Sequence, residues 1–130
     1  MTTEELRALP LFAGVSEEGL ARLVRCAEAE FEPGQVLALP GDPGSGMYVI
    51  LDGEVSVEMR GGWHTELGAG NFVGEIALLV PEATRVARVR ARTPVRCLSV
   101  PRDLFLELVE REPPLTLAML RELARRLSNA

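Results

Sequence analysis

Turn residues recur at short intervals between residues 27 and 100, and this pattern limits the possible folds more than any other feature of the chain. Pairs such as Pro33-Gly34, Asp52-Gly53 and Gly61-Gly62 separate runs that are apolar or that alternate polar with apolar residues. Such runs are typical of strands, and the last two pairs predict hairpins. Closely spaced strands with glycine turns predict an antiparallel barrel or jelly roll.

Helix signals lie on both sides of the strand region. Thr2 or Thr3 can cap a helix that Pro10 ends, and Ser16 can cap a second helix that runs to about Cys26. Prolines and apolar periodicity predict two more helices after the strands. The predicted organisation is one domain, residues 1–130, made of N-terminal helices (1–26), a β-roll (27–100) and C-terminal helices (101–130).

The segment around Gly74 has the composition of a small anion-binding site. Gly74 has no Cβ, so the backbone there can approach a ligand closely. The amides of Ile76 and Ala77 would open a short helix, where unpaired N–H groups favour an anion. Arg85 could grip phosphate oxygens with two hydrogen bonds, whereas Glu75 only accepts and suits a sugar hydroxyl. Together these residues predict a pocket for a small phosphate.

The same residues also have a purely structural interpretation. Gly74-Glu75 could be a plain strand-to-helix turn, with the Glu75 carboxylate favoured by the helix dipole. Arg85 is followed by further arginines, and a series of charges on a strand usually faces solvent. Strand alternation places Arg85 on an apolar face and Arg88 and Arg90 on the opposite one. An arginine on an apolar face needs an anionic partner, which Glu75 or a phosphate could supply.

The sequence Gly74-Glu75-Ile76-Ala77-Leu78, with Arg85-Val86-Ala87 after a proline-containing loop, resembles the phosphate-binding cassette of cyclic nucleotide-binding domains. Catabolite activator protein-like sensor domains belong to this family, and the resemblance covers nearly the whole chain, without a DNA-binding helix-turn-helix. It implies a mainly β fold: an eight-stranded antiparallel β-roll, or jelly roll, with N-terminal helices and a C-terminal two-helix lid. It also implies a regulatory module that relays ligand occupancy through its C-terminal helices.

The resemblance further implies a role for each residue of the site. The ribose 2′-hydroxyl would go to Glu75 and the cyclic phosphate to Arg85, assisted by Gly74 and by the amides of Ile76, Ala77 and Val86. The base would lie beside Val57, His64 and Thr65, with Arg126 above it. Val86 stands where relatives that favour cyclic GMP tend to carry threonine, so cyclic AMP is the expected ligand and cyclic GMP the weaker one. His64 could equally be an exposed strand histidine.

Charge and metal-ligand content argue against several functions. The formal net charge is −5, from 14 basic and 19 acidic residues, which disfavours direct binding of nucleic acid. One histidine and two separated cysteines, Cys26 and Cys97, provide neither a histidine-rich metal site nor a Cys-x-x-Cys pair. No apolar run is long enough to span a membrane, and the polar start is not a signal peptide. We therefore expect a cytoplasmic protein that is not an enzyme and has no metal or cofactor.

The last predicted helix, Leu115–Leu127, carries a broad apolar stripe. The stripe consists of Leu117, Met119, Leu120, Leu123, Ala124 and Leu127. It could pack on its own domain or against a second copy, which would make a homodimer.

An alternative function is an interaction module that has the same fold but binds no ligand, with Glu75 and Arg85 paired with each other. A small-barrel enzyme is a further rival, disfavoured by the lack of His, Cys or carboxylate clusters.

Overall fold

The computed structural model describes residues 1–38, 46–59, 62, 64–75, 79 and 87–128. The chain divides into two compact units. The helical unit contains Met1–Cys26 and Asp103–Ala130, and the strand unit contains Ala27–Arg102. The predicted site residues fall in both units.

The strand unit contains two four-stranded antiparallel sheets within the described residues. The first has the strand order β1-β8-β3-β6 and the second the order β2-β7-β4-β5. This arrangement confirms the predicted class, a mainly β antiparallel fold with flanking helices. The strands are β1 Glu28–Phe31, β2 Val36–Ala38, β3 Gly46–Asp52, β4 Val55–Met59, β5 His64–Leu67, β6 Phe72–Val73, β7 Ala87–Ala91 and β8 Val95–Pro101.

The core of the strand unit is formed by one face of each sheet. Ile50 and Cys97 of the first sheet and Val55 of the second are 0% exposed and belong to one cluster of buried side chains. Val89 belongs to the same cluster, so alternation places Arg88 and Arg90 on the opposite face of β7. Arg90 is half-exposed and lies 3.8 Å from the Glu58 carboxylate, as expected for a solvated face.

The turn at Gly53 differs from its predicted role. Asp52-Gly53 predicted a hairpin, but β3 and β4, which it joins, belong to different sheets. Gly53 has a φ of +95°, and a Cβ there would lie 2.2 Å from the carbonyl oxygen of Pro94. The glycine therefore permits a close crossing between sheets. The turn residues indicated a reversal of the chain but not which strands pair.

The helices are, in chain order, α1 Thr3–Arg7, a short 3₁₀ helix at Pro10–Phe12, α2 Glu17–Val24, α3 Arg102–Arg111 and α4 Pro113–Ser128. Both predicted N-caps of the first helices are confirmed. The Thr2 hydroxyl accepts from the Glu5 amide at 3.1 Å, and the Ser16 hydroxyl accepts from the Gly19 amide at 3.1 Å. The break before α4 lies at Glu112, since Pro113 already begins the next helix, where a missing amide costs nothing.

Glu112, the residue between α3 and α4, is bonded to the start of α2. Its carboxylate accepts from the Ser16 amide and from the Ser16 hydroxyl, both at 2.8 Å. Packing at this junction is tight: a Cβ at Gly14 would lie 2.5 Å from the Pro114 side chain. The N-terminal helices and the α3–α4 junction are thus joined by hydrogen bonds and by close contact within the helical unit.

Most of the apolar stripe of α4 is exposed. Leu115 and Met119 are buried at 1% and 3% exposure, whereas Leu117, Leu120 and Leu127 are exposed at 47%, 60% and 78%. The buried face of the helix therefore contains Leu115 and one member of the predicted stripe, Met119, whereas most of the stripe lies outside that face. None of the helices in the described ranges combines the length and the apolar character that a membrane crossing needs.

Candidate functional site

The candidate site starts where a glycine loop joins the first sheet. The Gly70 amide donates to the Ile50 carbonyl at 2.7 Å, and the Ile50 amide donates to the Asn71 carbonyl at 2.8 Å. Strand β6 follows at once and pairs with β3 through Tyr48 and Val49. These bonds fix the backbone that leads into the site, because β3 lies inside the sheet between β8 and β6.

Glu75 is a buried carboxylate at the end of this loop. Gly74 has a φ of +94°, a conformation that glycine adopts readily, and turns the chain directly before Glu75. Glu75 is 3% exposed, and among the described residues it is the one polar or charged residue in the buried class. Its carbonyl accepts from the Leu79 amide at 2.9 Å, which is the i to i+4 bond of a helical turn. The predicted strand and glycine turn are therefore present, and residues 76–78, where the helical start is predicted, lie outside the described residues.

Gly74 and Glu75 are the described members of the predicted phosphate and ribose contacts. Ile76, Ala77, Arg85 and Val86 lie outside the described residues. Their roles toward the phosphate stay predictions. The described part of the cassette contributes a buried acceptor in a tight turn, and a buried carboxylate requires hydrogen-bonding or charged partners.

Two of the residues predicted near the base lie together, and a third lies on another face. Val57 of β4 is directly opposite Thr65 of β5 and packs against the buried cluster. His64 is exposed and is opposite Glu58. Because neighbouring strand residues project to opposite faces, Thr65 shares the face of Val57 whereas His64 does not. The alternation of His64 and Thr65 already allowed this distinction from the sequence.

Arg126, the fourth residue predicted near the base, lies in α4 and is bonded to Glu122. The Arg126 Nε donates to Glu122 Oε2 at 3.0 Å, and both side chains are largely buried, at 17% and 18% exposure. Arg125 reaches the other oxygen, Glu122 Oε1, at 3.2 Å from its Nε. Sequence reasoning missed Glu122, although its spacing of four residues from Arg126 is the usual spacing of a helical ion pair.

The thiols of the chain are protected rather than activated. Burial raises the pKa of Cys97 to about 12, and burial also raises the pKa of Cys26. A thiol with a raised pKa is a poor nucleophile and a poor metal ligand near neutral pH. In the part of the chain that the structure describes, no three His, Cys, Asp or Glu side chains are grouped as a metal site would require.

Sequence comparison connects this geometry with known proteins. Residues 28–112 match the protein family described as "Cyclic nucleotide-binding domain". The chain is 34% identical over 116 residues to Glutaminase 2 of Bradyrhizobium diazoefficiens, covering 88% of this chain and 18% of that protein. It is 36% identical over 107 residues to potassium/sodium hyperpolarization-activated cyclic nucleotide-gated channel 4 of Oryctolagus cuniculus, covering 82% and 9%. The chain thus spans only a small part of these curated relatives.

Solved structures show the same similarity. The regulatory subunit of a cAMP-independent protein kinase A from Trypanosoma brucei aligns with a TM-score of 0.79 and 29% identity, over 92% of this chain and 44% of that chain. The catabolite activator protein of Thermus thermophilus aligns with a TM-score of 0.73 and 28% identity, over 92% and 59%.

Proposed function

Because the chain belongs to the cyclic nucleotide-binding domain family, we propose that it is a regulatory module that binds cyclic AMP in preference to cyclic GMP. The family match over residues 28–112, which includes both sheets and the Gly74-Glu75 turn, is the observation that carries this proposal. In this proposal residues 1–130 act as one domain. Ligand binding shifts helices α3 and α4 between two positions, and the difference in affinity for those positions is the signal.

The proposed contacts follow the resemblance of the cassette. Glu75 accepts a hydrogen bond from the ribose 2′-hydroxyl, and its burial in the described turn supports this role. Arg85 binds the cyclic phosphate as a charge-assisted fork, with Gly74 allowing the approach and the amides of Ile76, Ala77 and Val86 assisting. Val86 offers no hydroxyl, which supports the preference for cyclic AMP. Val57 and Thr65, which share one face, and Arg126 are the proposed residues around the base, whereas the exposed His64 on the opposite face is assigned no contact with it.

Thermal shift with cyclic AMP tests these roles. At a hundredfold excess over Kd, a ligand that binds only the folded state adds roughly 2.7 kcal/mol. That gain raises Tm by about 8–14 °C in a domain of this size. We expect Arg85→Leu to abolish most of the shift and Glu75→Gln to reduce it less, because an amide oxygen still accepts one bond. Arg25→Leu, at an exposed position of the helical unit, is the matched control and should keep the full shift.

A second candidate function is a ligand-free interaction module of the same fold, with Glu75 and Arg85 paired structurally. The similarity to the Trypanosoma brucei subunit, whose own name calls its kinase cAMP-independent, favours this candidate. It predicts that neither cyclic AMP nor cyclic GMP shifts the Tm at millimolar concentration. It also predicts that Arg85→Leu strongly destabilises the free protein, because a buried carboxylate would lose its partner.

We also propose that the chain forms a homodimer through α4. Leu117, Leu120, Ala124 and Leu127 are exposed and follow each other at spacings of three, four and three residues, the spacing of apolar residues in a coiled-coil seam. Leu115, which bounded the interface expected from sequence, is buried and lies outside this seam. Leu120→Glu with Leu127→Glu should yield monomers in light scattering, whereas Arg121→Glu beside the seam should not. A monomeric unmutated chain at micromolar concentration would contradict the dimer.

Three further properties of the chain are predicted from its sequence. We propose that the chain neither hydrolyses its ligand nor binds nucleic acid directly, and that it works in the cytoplasm. The net charge of −5 supports the absence of direct DNA binding, since phosphate neutralisation dominates affinity for DNA. Incubation with cyclic AMP followed by chromatography, and a DNA-binding titration at low salt, test the first two.

A further inference from the structure

Tyr48 lies on the inner face of the first sheet, beside the strand that leads into Glu75. It is directly opposite Val73 of β6, and Gly74 and Glu75 follow Val73 in the chain. Residues directly opposite each other in antiparallel strands share one face of the sheet. Val73 belongs to the buried cluster to which both sheets contribute, and the Tyr48 side chain packs against the same cluster. The phenol therefore projects inward, one strand away from β6 and the turn that follows it.

The Tyr48 ring is held in place, but its hydroxyl is unused. The ring meets that of Phe31 edge to face, with centroids 5.9 Å apart and planes at 83°. Tyr48 is only partly buried, whereas the members of the cluster are at most 8% exposed, so it lies at the border of the cluster. Among the residues that the structure describes, the Tyr48 hydroxyl has no hydrogen-bond partner, although the hydroxyl of a packed tyrosine usually finds one.

A ribose hydroxyl can serve both Glu75 and a phenol at the same time. A hydroxyl has one donor and two acceptor lone pairs. In the proposed function the ribose 2′-hydroxyl donates to the Glu75 carboxylate, which only accepts, and its lone pairs are left over. A phenol can donate to one of them. Because the Phe31 contact holds the Tyr48 ring, such a donor loses little rotamer freedom when the ligand binds.

We propose that Tyr48 is a ligand-binding residue for the sugar, whose hydroxyl donates to the same ribose 2′-hydroxyl that donates to Glu75. The inference rests on the proposed function and adds to it a second side chain that recognises the ribose. The pairing of Tyr48 with Val73 carries it, since this pairing brings the phenol beside the segment that ends in Glu75. The chain then selects ribonucleotides over 2′-deoxy nucleotides through one acceptor and one donor.

A cycle that combines a variant with a ligand analogue tests this inference by calorimetry on the full chain. Tyr48→Phe removes the hydroxyl and keeps the ring. We expect this variant to weaken cyclic AMP binding by about three- to tenfold, the effect of one hydrogen bond. Its affinity for 2′-deoxy cyclic AMP should equal that of the unmutated chain, because the analogue lacks the group that Tyr48 contacts.

Ser99→Ala is the matched control for the loss of a hydroxyl. Ser99 is directly opposite Tyr48 in β8, on the side of β3 away from β6. Its side chain shares the inner face but lies one strand further from Glu75. The substitution should therefore leave the affinity for both nucleotides unchanged.

Two results would overturn the inference while the proposed function stands. One is unchanged affinity for cyclic AMP in Tyr48→Phe protein whose melting curve shows that it is folded. The other is an equal loss of affinity for cyclic AMP and for the 2′-deoxy analogue, which would mean that the hydroxyl does not act on the ribose 2′-hydroxyl. Tyr48→Leu is the second variant if phenylalanine prevents folding, and it should weaken cyclic AMP binding at least as much. If the unmutated chain binds no cyclic nucleotide, the proposed function itself is wrong.

Discussion

Two glycines with the same backbone conformation provide a controlled test of the strand unit. Gly53 and Gly34 have φ angles of +95° and +90°, which residues with a Cβ rarely adopt. They differ in their surroundings. A Cβ at Gly53 would lie 2.2 Å from the Pro94 carbonyl oxygen and 2.9 Å from the Thr93 hydroxyl, whereas a Cβ at Gly34 would meet nothing within 4 Å.

The two alanine substitutions should therefore differ by the free energy of the clash. An alanine in this left-handed conformation destabilises the folded state by about 1–2 kcal/mol at either site. Alanine also reduces the conformational entropy of the unfolded chain, which offsets part of that loss. Gly53→Ala also displaces Pro94 and the Thr93 hydroxyl, which accepts from the Glu54 amide at 2.9 Å. Overpacking of this kind costs about 1–3 kcal/mol more. We expect a loss of about 1 kcal/mol for Gly34→Ala and about 2–4 kcal/mol for Gly53→Ala.

Urea unfolding followed by circular dichroism measures both losses. The midpoint should fall much further for Gly53→Ala than for Gly34→Ala, with similar slopes for the two variants. Equal losses would refute the reasoning, because they would mean that the chain at Gly53 does not approach Pro94. A larger loss for Gly34→Ala would contradict it more strongly.

Two further predictions concern the helical unit and the buried thiol. Ser16→Ala should lower the free energy of unfolding by about 1 kcal/mol, because an N-cap is lost. A double-mutant cycle with Glu112→Ala, measured by urea unfolding, should give a coupling energy of at least about 0.5 kcal/mol. Additive losses would contradict the Ser16–Glu112 bonds. For Cys97, the unfolded thiol ionises before the folded one, so the free energy of unfolding should fall between pH 9.0 and about 12. Cys97→Ser should flatten that slope, and an unchanged slope would show that another group causes it.

Local features of the fold were predictable because they depend on neighbouring residues. The Thr2 and Ser16 caps were read from residue type and the acids that follow, and the structure has both bonds. Strand alternation likewise separated the core face of β7 from its arginines. The pairing of β3 was not predictable from Asp52-Gly53, because a turn sequence specifies a reversal while the choice of sheet depends on distant contacts.

The buried face of α4 shows the same limit. Its sequence has apolar residues over more than half of the helix surface, so periodicity could not select the face that packs. The structure selects Leu115 and Met119 and leaves Leu120 exposed. In the site, the Gly74-Glu75 turn was predicted, but the degree of burial of Glu75 depends on the sheet around it. Glu122 could have been found from its spacing to Arg126 alone.

Calorimetric titration of the full chain with cyclic AMP, and separately with cyclic GMP, tests the central claim most directly. We predict saturable binding of cyclic AMP, a larger Kd for cyclic GMP, and recovery of unhydrolysed nucleotide afterwards. Equal or reversed affinities would contradict the preference assigned to Val86. An absence of heat from either nucleotide at millimolar concentration, with the folded state confirmed by its melting curve, would contradict the claim that this chain is a cyclic nucleotide sensor.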